Sequence, residues 1–401
     1  MTIKIEMYNT YFGDCYILKD RNSNLLVDFG IHSRSSPCKG MYIDRQKLIE
    51  NIADDIAYRY ENPSVLITHF HTDHICGLIY MHKRGLKKFK DLFNKIYIPN
   101  IWGNPFTVVT SLLEEMVLSE QLKRSKLPNT VSSLFDLIEF LCNNARNVRL
   151  LSRGVTFEND KYITLWPPRD TCKNEYEVKL EELNISKNLI EDLYSLSKDI
   201  CNYVQKNLEQ EENRKNFNIE EINIFKERYE GIVLKYKSQL ESLIEFEELN
   251  KPDQNISEKL NKLGHNINVI FQNKEDGNEN ILFTGDAEIS HIKEIVSSKT
   301  DPLLLMHRNY KFIKIPHHGT ENHYYDFSRF SPEYVLISNG GVKGYRSTAY
   351  RIYSKYGDLI ARHICSNSNN CSCCARICNL GSNCKGDTKD IVFPLLYKTI
   401  M

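Results

Sequence analysis

The sequence predicts an α/β protein that carries a long helical insertion. Three observations lead there. Apolar runs of strand length, at 64–68, 281–284, 312–315 and 334–337, each end in a polar or glycine-containing cluster. Segments such as 44–60, with Leu48, Ile52, Ile56 and Tyr60, carry apolar residues at helical spacing. From about 171 to 262 glycine and proline nearly vanish, charge rises, and apolar residues recur three or four apart. Leu189, Leu193, Leu196 and Ile200, then Ile224, Tyr229, Ile232, Leu234, Leu240 and Leu243, read as two long amphipathic helices meeting as a hairpin.

Taken in order, residues 3–8 and 14–19 read as strands about the turn Tyr11-Phe12-Gly13-Asp14, and Leu25-Leu26-Val27 runs into Asp28-Phe29-Gly30. Residues 31–43 contain Pro37 and Gly40 and read as a loop before the helix at 44–60. Ser64 to Thr68 form a short buried strand. Residues 78–95 hold Lys83, Arg84, Lys87, Lys88, Lys90 and Lys95, which are either a solvated helix face or a patch that steers a phosphodiester backbone. A strand at 95–99, helix over 105–145 and strands at 153–158 and 161–166 precede the insertion. After Gly264-His265-Asn266-Ile267-Asn268 the sheet is expected to resume with Val269-Ile270-Phe271, and the strands ending at Asp286, Pro316 and Ser338 follow. The domain division expected is therefore 1–170 with 263–401, interrupted by 171–262.

The length of 401 residues suits one large domain or two modest ones, and 41% apolar with 26% charged residues is ordinary for a globular protein. Lys+Arg and Asp+Glu balance at 52 each, which excludes a global bias toward nucleic acid but not a local one. No signal-peptide core and no apolar run near 18 residues occur, so no membrane partner and a cytoplasmic location are expected. Six of the 12 cysteines crowd into Cys365, Cys371, Cys373, Cys374, Cys378 and Cys384. In the segment 363–386 four of them, Cys371, Cys373, Cys374 and Cys378, could hold an additional structural zinc, and free buried thiols are the alternative.

The chemistry concentrates in Thr68-His69-Phe70-His71-Thr72-Asp73-His74-Ile75-Cys76-Gly77. Four metal-ligand types, His69, His71, Asp73 and His74, fall within six positions at the C-terminal end of a strand, where open α/β sheets place ligands. Imidazole nitrogen and carboxylate oxygen suit zinc, manganese or iron. Further candidates stand at other strand ends: Asp286 in Thr284-Gly285-Asp286, and His317 and His318 in Pro316-His317-His318-Gly319-Thr320.

This His-x-His-x-Asp-His stretch resembles the metal-binding motif of the metallo-β-lactamase superfamily. The resemblance implies an αββα sandwich with two divalent ions, zinc or alternatively manganese, in a hydrolytic site. It implies that His69, His71, Asp73 and His74 are ligands, that Asp286 bridges both ions, and that one histidine of the His317-His318 pair is the last ligand. His317 comes first after the strand and is taken as that ligand, with His318 either supporting a ligand from outside or acting as general acid. His265 stands where many members carry a Gly-His ligand, although Asn266-Ile267-Asn268 also resembles a histidine-poor version. Asp28 is either a carboxylate orienting the histidine loop or a simple turn residue. A water held between two ions has its pKa lowered from 15.7 to about 7 and attacks phosphorus or carbonyl carbon, with Asp73 and Asp286 orienting it.

Leu282-Phe283-Thr284-Gly285-Asp286, the strand into the double-histidine motif, and Ser338-Asn339-Gly340 resemble the hydrolase domain of bacterial DNA-uptake proteins (ComEC-type). That branch implies a nuclease or phosphodiesterase acting on nucleic acid or nucleotides, with Ser338 near the substrate. Where the family carries a His-Pro pair this chain has Arg346-Ser347, and the guanidinium of Arg346 suits a phosphate. The other readings are a hydrolase of small esters, thioesters or cyclic nucleotides, and a metal-binding protein. In the latter the arm 171–262 docks a protein partner or a second copy.

Overall fold

The computed structural model describes residues 3–10, 12–20, 23–32, 44–89, 91–124, 134–144, 148–169, 176, 179–180, 182–183, 185–209, 218–250, 256–298, 305–338, 362–365 and 397–400. Helices of three turns or more or close to it are α1 (Arg45–Arg59), α2 (Thr72–Arg84), α3 (Pro105–Arg124), α4 (Leu134–Asn143), α5 (Lys187–Glu209), α6 (Ile219–Asn250), α7 (Ile256–His265) and α8 (Ile289–Ser297). The strands of the N-terminal half are β1 (Lys4–Tyr8), β2 (Tyr16–Lys19), β3 (Asn24–Val27), β4 (Ser64–Leu66), β5 (Ile96–Pro99), β6 (Val148–Leu151), β7 (Thr156–Phe157) and β8 (Tyr162–Trp166). Those after the helical stretch are β9 (Ile270–Asn273), β10 (Ile281–Phe283), β11 (Phe312–Lys314), β12 (Tyr334–Ile337), β13 (Arg362–Cys365) and β14 (Tyr397–Ile400).

The chain divides into two compact units: Met1–Pro99 with Leu151–Pro167 and Asn268–Met401, and Asn100–Leu150 with Pro168–Ile267. The first unit is mixed α/β. One sheet orders its strands β14-β1-β2-β3-β4-β5, and the second runs β13-β12-β11-β10-β9-β8-β7. Both sheets are mixed: β3-β4-β5 and β10-β11-β12-β13 are the parallel runs, and the other described pairs are antiparallel. Parallel strands covered on both faces read as continuous apolar runs, which is why Val65-Leu66-Ile67 and Ile281-Leu282-Phe283 show no alternation.

The inner faces of the sheets share one core. Ile5, Tyr16, Val27, Leu66 and Tyr97 from one side meet Phe157, Phe271, Phe283, Phe312 and Leu336 from the other. The outer face of the second sheet packs Ile313, Ile315, Val335 and Ile337 against Ile292 and Ile295 of α8. On the first sheet's side, α1 is tied to β1 by Tyr8, whose hydroxyl donates to Asp55 Oδ2 at 2.7 Å, and by Arg59 paired with Glu6 at 2.8 Å. Asp44 caps α1, accepting from Lys47 N at 3.0 Å.

The second unit is helical. α5 and α6 are antiparallel, with Asp192 accepting from Lys235 at 2.7 Å, Asp199 from Arg228 at 2.8 Å and Tyr203 bonded to Asn218 at the turn. The compact unit is larger than the insertion expected at 171–262, because α3 and α4 belong to it. Phe106, Val109, Leu112, Leu113, Met116 and Val117 are buried on several sides of α3, so one apolar stripe is not enough and α5, α6 and α7 together cover it. The Tyr229 hydroxyl on α6 donates to Leu112 O at 3.1 Å. The sheet resumes within one residue of the Val269-Ile270-Phe271 expected from the sequence. α7 runs through His265, and β9 begins at Ile270. Among the described residues no helix is long and apolar enough to cross a membrane.

Candidate metal centre

Three loops of the first unit are sewn together by backbone hydrogen bonds before any ligand is considered. Asp14 N donates to Asp73 O at 3.1 Å, Gly30 N to Asp14 O at 3.0 Å, Phe29 N to His74 O at 2.8 Å and Gly77 N to Phe29 O at 2.8 Å. The contact is too close for side chains: a Cβ on Gly30 would lie 2.1 Å from the Asp73 carbonyl carbon, and one on Gly77 2.4 Å from the Phe29 ring. The start of α2 is thereby fixed against the turns after β1 and β3. Asp73 and His74 sit in the first turn of α2, with His71 as its capping residue, so the motif is a loop-to-helix junction rather than a loop throughout.

Asp28, in the left-handed conformation with φ +57° at the end of β3, turns its carboxylate under this junction. It accepts from Thr68 N and Thr68 Oγ1, each at 2.7 Å, and from His74 Nδ1 at 2.8 Å. A carboxylate can only accept, so Nδ1 carries the proton and the neutral His74 ring presents a bare Nε2. That atom is buried without a hydrogen-bond partner and faces Asp286 Oδ2 at 3.3 Å. His69, behind Thr68, places Nε2 3.0 Å from His71 Nδ1 and 4.0 Å from Asp286 Oδ2.

The second sheet brings the remaining groups. Gly285, at φ +50°, lets Asn268 pack where a Cβ would come within 2.1 Å of its Oδ1, and Asn268 Oδ1 then accepts from Asp286 N at 2.9 Å. After β11 the backbone is left-handed at His317 (φ +43°), His318 (φ +55°) and Gly319 (φ +76°), a strained run that turns both imidazoles back toward Asp286. His317 Nε2 lies 3.7 Å and His318 Nε2 3.8 Å from Asp286 Oδ2. His318 Nε2 is also 3.5 Å from Asp73 Oδ2. Its Nδ1 donates to Ser338 O at 2.9 Å. A backbone carbonyl only accepts, so Nδ1 carries a proton: a neutral His318 ring has a bare Nε2 able to act as a ligand, and a protonated one donates from Nε2 toward Asp73. Ser338 contributes this carbonyl, while its hydroxyl pairs with Tyr16 at 2.5 Å.

Two groups within the unit, His69-His74-Asp286 and Asp73-His74-His318, each have their ligand atoms within 4.8 Å of one another. The donor set of imidazole nitrogens and carboxylate oxygens, together with the orphaned His74 Nε2, fits zinc or manganese. His265 closes α7 in the second unit. Arg346 and the cysteines Cys371, Cys373, Cys374 and Cys378 lie outside the described residues, as does most of 363–386. Lys83 and Arg84 are exposed at the far end of α2, about 20 Å of helix from His71. Lys88 pairs with Asp54 and Arg84 lies over the Tyr80 ring, as on a solvated face.

Sequence reading missed Asp14 and Lys314. Lys314 is 1% exposed, pairs with Asp14 Oδ2 at 2.5 Å and Asp286 Oδ1 at 3.4 Å, and donates to Gly285 O at 2.8 Å. Its signal was a lone lysine in the otherwise apolar strand Phe312-Ile313-Lys314-Ile315. Burial would discharge it, but Asp14 and Asp286 reverse that and raise its pKa. Burial likewise raises the Asp286 carboxyl, and His74, His318, Lys314 and His317 outweigh it and hold the group well below the usual range. Asp73 is driven down in the same way, burial being overcome by the His318 hydrogen bond and by His74 and His32. His74 is raised well above 6.5 because Asp286 and Asp28 overcome its burial. No protein-family model matches the chain, and no curated protein matches it.

Proposed function

We propose that this chain is a metal-dependent hydrolase of phosphodiesters, a nuclease or phosphodiesterase on a metallo-β-lactamase-type αββα sandwich. One observation carries the reading. His69, His74, His317 and His318, from two different sheets, all point a ring nitrogen at Asp286 Oδ2 within 3.3–4.0 Å. A structural histidine cluster would satisfy those nitrogens with hydrogen bonds, and His74 Nε2 makes none. The layered fold and the resemblance of the double-histidine segment to the DNA-uptake branch support the choice of substrate class.

In this proposal His69, His71, Asp73, His74, Asp286, His317 and His318 hold two divalent ions, zinc or manganese. Bound there, the ions supply an activated water and positive charge opposite the oxyanion that develops on phosphorus. The chain's own residues do the remaining work. Asp28 fixes the His74 ring through Nδ1, and Ser338 O fixes that of His318. Lys314 engages Asp286 Oδ1 and leaves Oδ2 to the histidines. The backbone bonds among Asp14, Gly30, Phe29 and the start of α2 remove the need to organise the ligands when substrate arrives.

The test is cleavage of linear double-stranded DNA, single-stranded DNA and RNA by protein loaded with zinc or manganese, with Asp286→Ala as control. Cleavage that the variant lacks is the expected result. Metal-loaded protein that cuts no polymer overturns the nuclease reading and directs the search to small phosphoesters.

A further inference from the structure

Beside the centre runs a hydrogen-bonded chain that the proposed reaction does not use. His317 Nδ1 is 2.6 Å from Thr320 Oγ1, Thr320 Oγ1 is 2.9 Å from His323 Nδ1, and His323 Nε2 is 2.9 Å from Glu288 Oε1. We propose that Glu288 sets the tautomer of His317 through His323 and Thr320, so that His317 is a metal ligand with a bare Nε2 and not a proton donor. The inference rests on the reading of the site as a metal centre and adds three positioning residues to it.

The direction of the chain follows from what each group can donate. The Glu288 carboxylate only accepts, so His323 Nε2 carries a proton. The neutral His323 ring then accepts at Nδ1, and the single hydroxyl hydrogen of Thr320 points there. Thr320 Oγ1 is left as an acceptor toward His317, whose Nδ1 must donate. His317 Nε2, which faces Asp286 Oδ2 at 3.7 Å, ends with a lone pair. Fixing a ligand histidine through its other nitrogen is the usual device of metal sites, here relayed over two further side chains.

The structure builds the chain with care for its geometry. The turn Thr320 N to His317 O at 3.0 Å and His323 N to Thr320 O at 3.2 Å, entered from the left-handed pair, sets the imidazoles of 317 and 323 with centroids 4.1 Å apart. Thr320 and His323 are 8% and 4% exposed, so water does not compete for their bonds. Glu288 occupies the capping position of α8, where its side chain makes no capping hydrogen bond. Glutamate is not among the residues favoured there, and its carboxylate accepts from His323.

The experiment reads the tautomer directly. Long-range proton–nitrogen correlation spectra of the metal-free protein, at alkaline pH where the rings are neutral, should show His317 protonated at Nδ1. Thr320→Val and Glu288→Gln should move His317 toward the Nε2-protonated form. Both should lower zinc affinity, measured by competition with a chromophoric chelator, by about 10- to 100-fold. Thr320→Ser, which keeps the hydroxyl, should restore both readouts, and matched circular dichroism and thermal melts separate the effect from unfolding. A wild-type His317 protonated at Nε2, or zinc affinity in Thr320→Val within twofold of wild type, overturns the proposal. A wild type that shows the Nδ1 tautomer yet holds no zinc keeps the hydrogen-bonded chain and overturns the metal-centre reading instead.

Discussion

The two histidine segments of the centre, 69–74 and 317–318, solve one problem by opposite means. Both follow a parallel strand, β4 in one sheet and β11 in the other, and both aim imidazoles at Asp286. The first hands its ligands to a helix. His71 caps α2, Asp73 and His74 occupy its first turn, and the backbone remains in ordinary regions. The second has no helix to lean on and holds three successive left-handed residues. A side chain placed by regular structure costs little to hold, whereas one placed by positive φ is held only while its surroundings force it. The first segment is therefore the scaffold of the centre and the second its closing half, with Asp286 as the joint.

The largest expected effect comes from breaking that joint. Asp286→Asn removes the carboxylate toward which both segments aim Nε2 atoms, and zinc affinity should fall by more than the roughly 100-fold typical of an outer partner. Equilibrium dialysis with elemental analysis checks this. A variant that keeps the full wild-type metal content would show that each segment binds metal by itself.

Lys314→Met is next. It leaves Asp14 and Asp286 as buried carboxylates without their cation, a loss of about 3–5 kcal/mol in the metal-free protein. Zinc replaces part of the missing charge beside Asp286, so the loss should be smaller for loaded protein. Denaturant melts with and without metal measure the difference, and an equal loss in both would separate Lys314 from the centre.

Protons should report the same competition. His74 is raised well above 6.5 by Asp286 and Asp28, after burial is overcome. Its contribution to the metal-free fold is complete below about 6.5 and disappears as pH rises through the raised value. Asp286 has the opposite sign: its contribution is present above the ordinary carboxylate value of 3.8 and is lost as pH falls through its depressed one. Zinc binding near pH 7 must therefore displace protons from the histidines. Calorimetry in buffers of different ionisation enthalpy should show heats that scale with the buffer, and affinity should rise with pH.

The contrast between the segments also explains what could be read in the chain. The first was legible because strand, ligand spacing and helix share one stretch of sequence, from Ser64 to Gly77. The choice between His317 and His318 was not, because it depends on positive φ values and on the Ser338 carbonyl 20 positions away. Lys314 and Asp14 escaped for the same reason: their pairing joins groups from two sheets, and neither lies in a motif. The helical unit was legible as α5 and α6 through their periodicity. The membership of α3 was hidden, since a helix buried on several sides shows no stripe.

The smallest effect sharpens the comparison most. Gly85, at φ +57°, ends α2, and Gly319, at φ +76°, ends the His317-His318 turn. Alanine in the left-handed region costs about 1–2 kcal/mol at either place. At Gly85 nothing lies within 4 Å of the added Cβ, so Gly85→Ala should lower stability and leave zinc affinity unchanged. Gly319→Ala should lower stability by a similar amount and zinc affinity as well, because relaxing φ there swings His318 away from Asp73 and Asp286. Paired melts and chelator competition on the two variants check this. Equal zinc affinities would mean that the second segment holds its ligands without help from its backbone, and the distinction between scaffold and closing half would fall.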